Sequence, residues 1–436
     1  MKYKRIAAAA MIAVMLCGCT NIDERAIDAT GTDIIEAMAT VDVSRNEGIV
    51  TTALNSDKTE TVSDSVAMSE VPYETAEQVV YGPDTEGFTE RLNKIYTDYG
   101  ITGMSVALFR DGEIIHTENI GYSDAETNAL CTDNTRYRIA STSKLISTMV
   151  LMTLYDEGKI DLDSCLTDVT GIKYDSYNKE KVKLWHLLTH TAGIIDTYVY
   201  ELAISYKYNI DYILSSAHSG YEPGTMYNYS NFGAGTIGAI VEKLTGEYFH
   251  DYADRALFKP LGMDAGYLID LIEDKESCAT LYDYDGEVFH VPTWKRNRKY
   301  YESFGLGNSY MAAQCELIIT ASDLARLGII LSGDGTLNGE TVLSEKAVEA
   351  INKSYFSAPD FDMGLNVRIY DNLIDGRTIY GHPGNALGAI TGLYYDRSDG
   401  TGVAFVTNRC STVKDDNGFY KAIKDTLDAA YECYFG

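Results

Sequence analysis

The sequence predicts an α/β protein of the α+β type: an antiparallel sheet assembled from both ends of one domain, flanked by helices, with a mostly helical insert between them. Three observations predict it. Strand-like text with a two-residue turn signal stands early, in "GMSVALFRDGEIIHTENIGYSD". Strand-like text returns late, in "MGLNVRIYD", "TIYGHPG" and "AITGLYYDRSDGTGVAFVTN". Between them, from about 180 to 265, the text is mostly helical and is punctuated by Gly193, Pro223-Gly224 and Pro260. The 436 residues suffice for one large domain or two ordinary ones, and a 45% hydrophobic content supplies a sizeable core. No internal repeat interrupts this reading.

The first nineteen residues read as a processing signal. Lys2, Lys4 and Arg5 form a positive start, and Ile6 to Leu16 is an apolar run too short to span a bilayer comfortably. It leads into Leu16-Cys17-Gly18-Cys19, which resembles a bacterial lipobox. That resemblance implies cleavage after Gly18, a lipid on Cys19, export, and anchoring to the outer face of a bacterial membrane. Residues 20–85 read as a disordered acidic Ser/Thr-rich tether. Residues 20 to 86 hold fifteen acids and three bases, and aromatic residues are scarce. As a flexible coil the tether would reach on the order of 45 Å.

Residues 86–436 read as the folded domain. "FTERLNKIYTDYG" has helical periodicity and stops at Gly100. The early strands form a hairpin with Asp111-Gly112 as its turn. "SKLISTMVLMTLYDEGKI" is a strongly apolar helix, and a last helix runs from about Asn417 to Tyr434.

The stretch "YNYSNFGAGTIGAIVEKLTG" supports two readings. Gly233, Gly235 and Gly238 spell G-x-G-x-x-G, as in a dinucleotide site. That reading needs a buried strand before the glycines and a second parallel strand after the helix. The preceding Tyr-Asn-Tyr-Ser-Asn-Phe is too polar, and more helix follows, so the glycines are expected to permit close helix packing. Tyr229-Ser230-Asn231 instead fits one wall of a serine acyl-transfer site.

Such a site needs a nucleophile. "YRIASTSKLIS" offers Ser141 with Lys144 one helical turn on, at the start of the apolar helix. The helix N-terminus adds a positive field around the hydroxyl. Two other S-x-x-K matches, Ser176 to Lys179 and Ser411 to Lys414, lie in polar, loop-like text. The structural alternative for Ser141 is an N-cap with a solvated lysine beside it. A third element, His382-Pro383-Gly384 in "YGHPGNALGAITG", is expected on an edge strand.

In order, these motifs are S-x-x-K, Y-x-N and H-x-G. With "LWHLLTHTAGI", "FKPLGMD" and "TASDLARL", the chain resembles the serine β-lactamase and penicillin-binding hydrolase superfamily over roughly residues 86 to 436. The branch is that of class C β-lactamases, DD-carboxypeptidases, D-aminopeptidases and related esterases. The resemblance implies a β-lactamase/transpeptidase-like fold and two-step acyl transfer through an acyl-enzyme on Ser141, with no metal and no cofactor. Lys144 or Tyr229 would take the serine proton, and the two would titrate together. Asn231 would bind Lys144 and a substrate carbonyl. His382, where many relatives have Lys, would donate to Tyr229 and orient the leaving group. The backbone N–H groups of Ser141 and Asn385, beside Gly384, would form the oxyanion hole. Substrates would be small molecules or peptides containing D-residues, with cell-wall peptidoglycan as a candidate. A small-ester hydrolase, a β-lactamase and a non-catalytic sensing module are the alternatives.

Two departures bear on substrate. Pro383 stands where many relatives carry Thr or Ser, which removes a hydroxyl able to bind a carboxylate. Cys315 and Glu316 stand where relatives often carry Gly-Gly, so a narrower or more acidic rim is expected. The formal charge of −28 argues against a nucleic-acid partner. His186 and His190 have helical metal-site spacing but lack H-E-x-x-H, so packing is expected of them. Cys131, Cys165, Cys278, Cys315, Cys410 and Cys433 include no C-x-x-C, and both buried thiols and bridges stay open.

Overall fold

The computed structural model describes residues 83–174, 181–206, 208–290, 297–371 and 373–436. The expected signal, Cys19 and almost all of the tether lie outside the described residues, as do Ser176 and Lys179. Among the described residues no helix is long and apolar enough to cross a membrane.

Nine strands form the main sheet. The first three are β1 Gly103–Arg110, β2 Glu113–Asp124 and β3 Ala129–Leu130. The other six are β4 Phe356–Ser357, β5 Asp362–Met363, β6 Arg368–Asp371, β7 Thr378–Ala386, β8 Ala389–Asp396 and β9 Gly402–Thr407. Their spatial order is β4-β5-β6-β7-β8-β9-β1-β2-β3, and the pairings are antiparallel. The late strands therefore join the early hairpin where β9 pairs with β1, as the two-ended reading expects. Asp111 and Gly112 turn the hairpin with φ of 52° and 80°, the pair of positive angles a two-residue turn between right-twisted strands requires.

Both faces of β1 are covered. Val106 and Leu108 point to a cluster with Phe88, Leu92 and Ile95 of helix α1 (Thr85–Asp98). Ala107 and Phe109 point the other way, into the larger core shared with the helical insert. Period-two alternation alone sends these neighbours to opposite faces. The buried stretches of the insert include α2 (Ser143–Asp156) and α3 (Asn231–Thr245). Helix α4 (Ala321–Ser332) packs on β1 and β9, and α5 (Lys421–Ala430) packs on α1.

The glycines of the G-x-G-x-x-G stretch are packing residues. A Cβ on Gly235 would overlap the Tyr310 carbonyl, and one on Gly238 would lie 3.0 Å from Ser309 O. The element after α3 is another helix, Phe249–Ala253, so no βαβ unit closes.

On the same helix the buried Glu242 ties down the loop that supplies those contacts. Its carboxylate accepts from Phe249 N (3.2 Å), Gly307 N (2.6 Å) and Ser309 N (3.2 Å). Burial nevertheless pushes its carboxyl up to about 7, against the pull of those donors. The folded state then holds a proton that the unfolded chain, with a value of 4.5, releases. Stability is therefore expected to fall as pH rises between those two values, by on the order of 3 kcal/mol from this group. Urea unfolding of the wild type and Glu242→Gln across pH 4.5 to 8 checks this. The gap between the curves should shift in the variant's favour with rising pH, and parallel curves refute it.

None of the six described cysteines forms a disulfide with another. Burial raises Cys131 to about 11 and both Cys278 and Cys410 to about 12, which keeps them protonated at neutral pH.

Candidate active site

Ser141 hangs from a short ribbon in which Arg136–Arg138 pairs with Ile318–Thr320. Ile139 N continues the ribbon by donating to Leu317 O at 2.9 Å. The chain then reverses through Ala140, whose φ of 48° is left-handed and costly for a residue with a Cβ. Packing of Ala140 among Leu281, Ala386, Leu387 and Ala389 holds it there. Ala140–Thr142 is one 3₁₀ turn, and α2 follows directly. Ser141 thus sits at the mouth of α2, and Lys144 lies one turn inside.

The structure brings the expected residues together. Lys144, 0% exposed, points Nζ at Ser141 Oγ (3.0 Å), Asn231 Oδ1 (2.9 Å) and the Gln314 carbonyl (2.9 Å). An ammonium there has a proton for each oxygen. A neutral amine would keep two donors and could turn its lone pair to the serine hydroxyl. The Tyr229 ring centroid lies 5.1 Å from the same nitrogen.

Asn231 is oriented by Asp196, a residue the sequence reading did not single out. Asp196 Oδ2 accepts from Asn231 Nδ2 and from Asn231 N, both at 3.0 Å. Asp196 Oδ1 accepts from Ser230 Oγ (2.7 Å) and Phe232 N (2.9 Å). The carboxylate therefore caps α3 from outside, while Ser230 Oγ caps it locally by accepting from Gly233 N at 2.9 Å. Because Nδ2 is committed to Asp196, Oδ1 must face Lys144. The Ser230 cap is legible from sequence. A carboxylate supplied from 34 residues away carries no local signal.

His190 and His382 both contact Tyr229, with ring centroids 4.4 and 6.3 Å away. Burial is the main cause that holds both far below the usual histidine range, helped by the charges of Lys144 and Arg368. Both are neutral at pH 7. His190 Nδ1 accepts from Ser230 N at 3.3 Å, and His186 Nδ1 accepts from Lys183 N at 3.0 Å. These two histidines serve backbone donors rather than a metal. The described cluster His250, Asp251 and Glu302 has metal-like spacing, but the Arg298 guanidinium reaches all three, at 3.3, 2.7 and 3.0 Å. The cation of that site is part of the chain.

Two expectations change in detail. His382 Nδ1 lies 2.7 Å from the Pro383 carbonyl, which only accepts, so the ring proton sits on Nδ1. Nε2 is then a lone pair without a partner, and the expected donation to Tyr229 is not what a neutral His382 offers. Strand β7 is also not an edge strand, since it pairs with both β6 and β8. The β6 pairing stops at Arg368↔Gly381, however, so among the described residues no strand pairs with 382–386 on that side.

Register explains what this free stretch presents. Ile390 spends its N–H and C=O on Thr407 Oγ1 of β9, at 3.1 and 2.8 Å. Its cross-strand partner Asn385 is therefore a non-hydrogen-bonded position and turns its N–H away from β8, towards the Ser141 turn. Pro383, two residues back, faces the same way and loses nothing by lacking an N–H. Gly384 alternates inward to Thr391. Having no side chain, it lets β7 lie close to the Ser141 turn, because a Cβ there would lie 2.5 Å from Ile139 O and 2.8 Å from Thr142 Oγ1. Glu316 does not acidify the rim: it is buried against Arg138, at 3.1 Å, and Cys315 is buried beside it.

The sequence model of the family described as Beta-lactamase matches residues 85–427. Among curated proteins, the chain is 24% identical to penicillin-binding protein 4 of Amycolatopsis lactamdurans over 338 residues, 74% of this chain and 85% of that one. Among solved structures, it superposes on a D-alanine carboxypeptidase from Burkholderia cenocepacia with a TM-score of 0.61, at 20% identity, over 79% of this chain and 98% of the other. It superposes on a D-amino acid amidase from Ochrobactrum anthropi with a TM-score of 0.59, again at 20% identity and over the same shares of the two chains.

Proposed function

The chain belongs to the Beta-lactamase family of serine hydrolases, and on that premise we propose that it cleaves amide bonds of D-residue-containing peptides through an acyl-enzyme on Ser141. One observation carries the assignment of the nucleophile: Lys144 Nζ stands 3.0 Å from Ser141 Oγ while Asn231, held by Asp196, fixes that nitrogen from the other side. A hydroxyl needs such a base within hydrogen-bond reach to attack a carbonyl. The N–H groups of Ser141 and Asn385 would receive the developing oxyanion, each worth on the order of 3 kcal/mol of barrier. Leaving-group protonation passes back through the Lys144–Tyr229 pair, since His382 has no proton at Nε2. The D-alanine carboxypeptidase and D-amino acid amidase among the similar structures support the D-residue class. The missing hydroxyl at Pro383 favours small esters as a second class. On the lipobox reading the enzyme would work outside the membrane, tethered through Cys19.

The test is direct. The soluble domain is incubated with D-Ala-D-Ala peptides, D-amino-acid amides, β-lactams and short esters, and separately with a fluorophosphonate probe. Turnover of D-residue amides, with the probe mapped to Ser141 by mass spectrometry, is the expected result. A chain that turns over nothing and takes no label would be a sensing module.

A further inference from the structure

Tyr229 sits on a stretch, residues 224–230, that forms neither helix nor strand. Backbone donors in such a stretch take their acceptors from elsewhere. Here they come from the turn that follows the short helix Leu184–Leu188. Gly224 N donates to Thr191 O at 2.8 Å, and Asn228 N donates to His190 O, also at 2.8 Å. Ser230 N donates to the His190 ring at Nδ1, at 3.3 Å. His190 thus accepts from the residue before Tyr229 with its backbone and from the residue after Tyr229 with its side chain. Between those two bonds its ring lies 4.4 Å from the Tyr229 ring, closer than His382 at 6.3 Å.

His190 carries two costs that packing alone does not require. Its φ of 56° is left-handed, which is unfavourable for a residue with a Cβ. Because Nδ1 accepts, the ring proton stands on Nε2, which is buried without a hydrogen-bond partner among the described residues. An apolar residue of the same size would fill the space without that orphaned donor. What it would not supply is the acceptor at Nδ1.

We infer that His190 is the positioning residue for Tyr229. Through its carbonyl, its Nδ1 and its ring it fixes where the phenol stands against Lys144, whose Nζ lies 5.1 Å from the tyrosine ring. This inference rests on the hydrolase reading above and adds to it a residue that touches neither substrate nor nucleophile. A tyrosine hydroxyl that shares a proton with Lys144 works only when it stands within hydrogen-bond reach of that proton, and a misplacement of about 1 Å can cost on the order of 100-fold in rate. An irregular stretch does not hold a side chain to that tolerance by itself. Two bonds to one residue, on either side of Tyr229, do.

The experiment measures kcat and KM on the fastest substrate of the panel above, for His190 variants in the natural and in the Tyr229→Phe background. Asparagine places an acceptor where Nδ1 stands, whereas glutamine carries its acceptor out to the place of Nε2. His190→Gln should lower kcat on the order of 10- to 100-fold with KM changed less than about threefold, and His190→Asn should stay within about fivefold of wild type. In the Tyr229→Phe background His190→Gln should cost less than about threefold, because no hydroxyl is left to misplace. The same loss in both backgrounds, or a His190→Asn protein no better than His190→Gln, overturns the proposal. Thermal unfolding identifies a His190→Gln protein that has lost its fold. His190→Phe, which keeps a ring and lacks the acceptor, then takes its place with the same expectations. A wild type that turns over no member of the panel defeats the hydrolase reading instead, and crystal structures then decide the role of His190. The Tyr229 ring should hold its place in His190→Asn and move by about 1 Å or more in His190→Gln, and a ring unmoved in both overturns the proposal.

Discussion

Replacing Lys144 by Met is expected to lower kcat by roughly 10³- to 10⁴-fold while the protein stays folded. Methionine matches the length of the lysine stem and suits a site with no exposure to solvent. What it removes is the nitrogen that stands 3.0 Å from Ser141 Oγ and also meets Asn231 Oδ1 and the Gln314 carbonyl. Without it the hydroxyl has no acceptor for its proton on that side, and the Asn231 amide loses the contact that opposes Asp196. The loss should appear in the acylation step, read as a slower burst in single-turnover kinetics, with KM changed far less. Tyr229→Phe supplies the comparison. If lysine and phenol act as one coupled acid–base unit, the double variant should cost little more than the worse single variant. An acylation rate for Lys144→Met within tenfold of wild type would move the base elsewhere.

What could be read beforehand was what the chain writes locally. Ser141 and Lys144 are legible because both contacts of the motif lie within one turn of one helix. The turn at Asp111-Gly112 is legible because two positive φ values demand that dipeptide. The order of S-x-x-K, Y-x-N and H-x-G pointed to one cavity although 241 positions separate Ser141 from His382. Besides Asp196, three things stayed hidden, each for a physical reason. The acceptor at Gln314 is a backbone carbonyl, which any residue could supply. The alternation along β7 that aims Asn385 N–H outward depends on pairing with a strand not yet placed. The tautomer of His382 follows from a 2.7 Å contact with its neighbour's carbonyl, and its missing charge follows from burial. Glu316 shows the converse: an acid at a rim position in the sequence is neutralised by Arg138 once the ribbon of Arg136–Arg138 and Ile318–Thr320 forms.

Asp196 carries the second large expected effect, and it falls on fold and chemistry together. Asp196→Ala removes an acceptor shared by four donors at the start of α3: the Ser230 hydroxyl, the Asn231 and Phe232 N–H groups, and the Asn231 amide. Loss of a helix N-terminal carboxylate and of charge-assisted hydrogen bonds should cost about 2–4 kcal/mol, read as a lower urea midpoint at an unchanged slope. Activity should fall further than stability explains, on the order of 100-fold in kcat. Once Asp196 no longer fixes Nδ2, the Asn231 amide is free to turn that group towards Lys144, setting donor against donor. Asp196→Asn separates the two roles. It keeps the side-chain volume but must aim its own NH₂ at donors, so it should keep more stability than Ala and recover little activity. An Asp196→Asn enzyme with wild-type kcat would mean that Asn231 holds its orientation unaided, and that the carboxylate serves the helix alone.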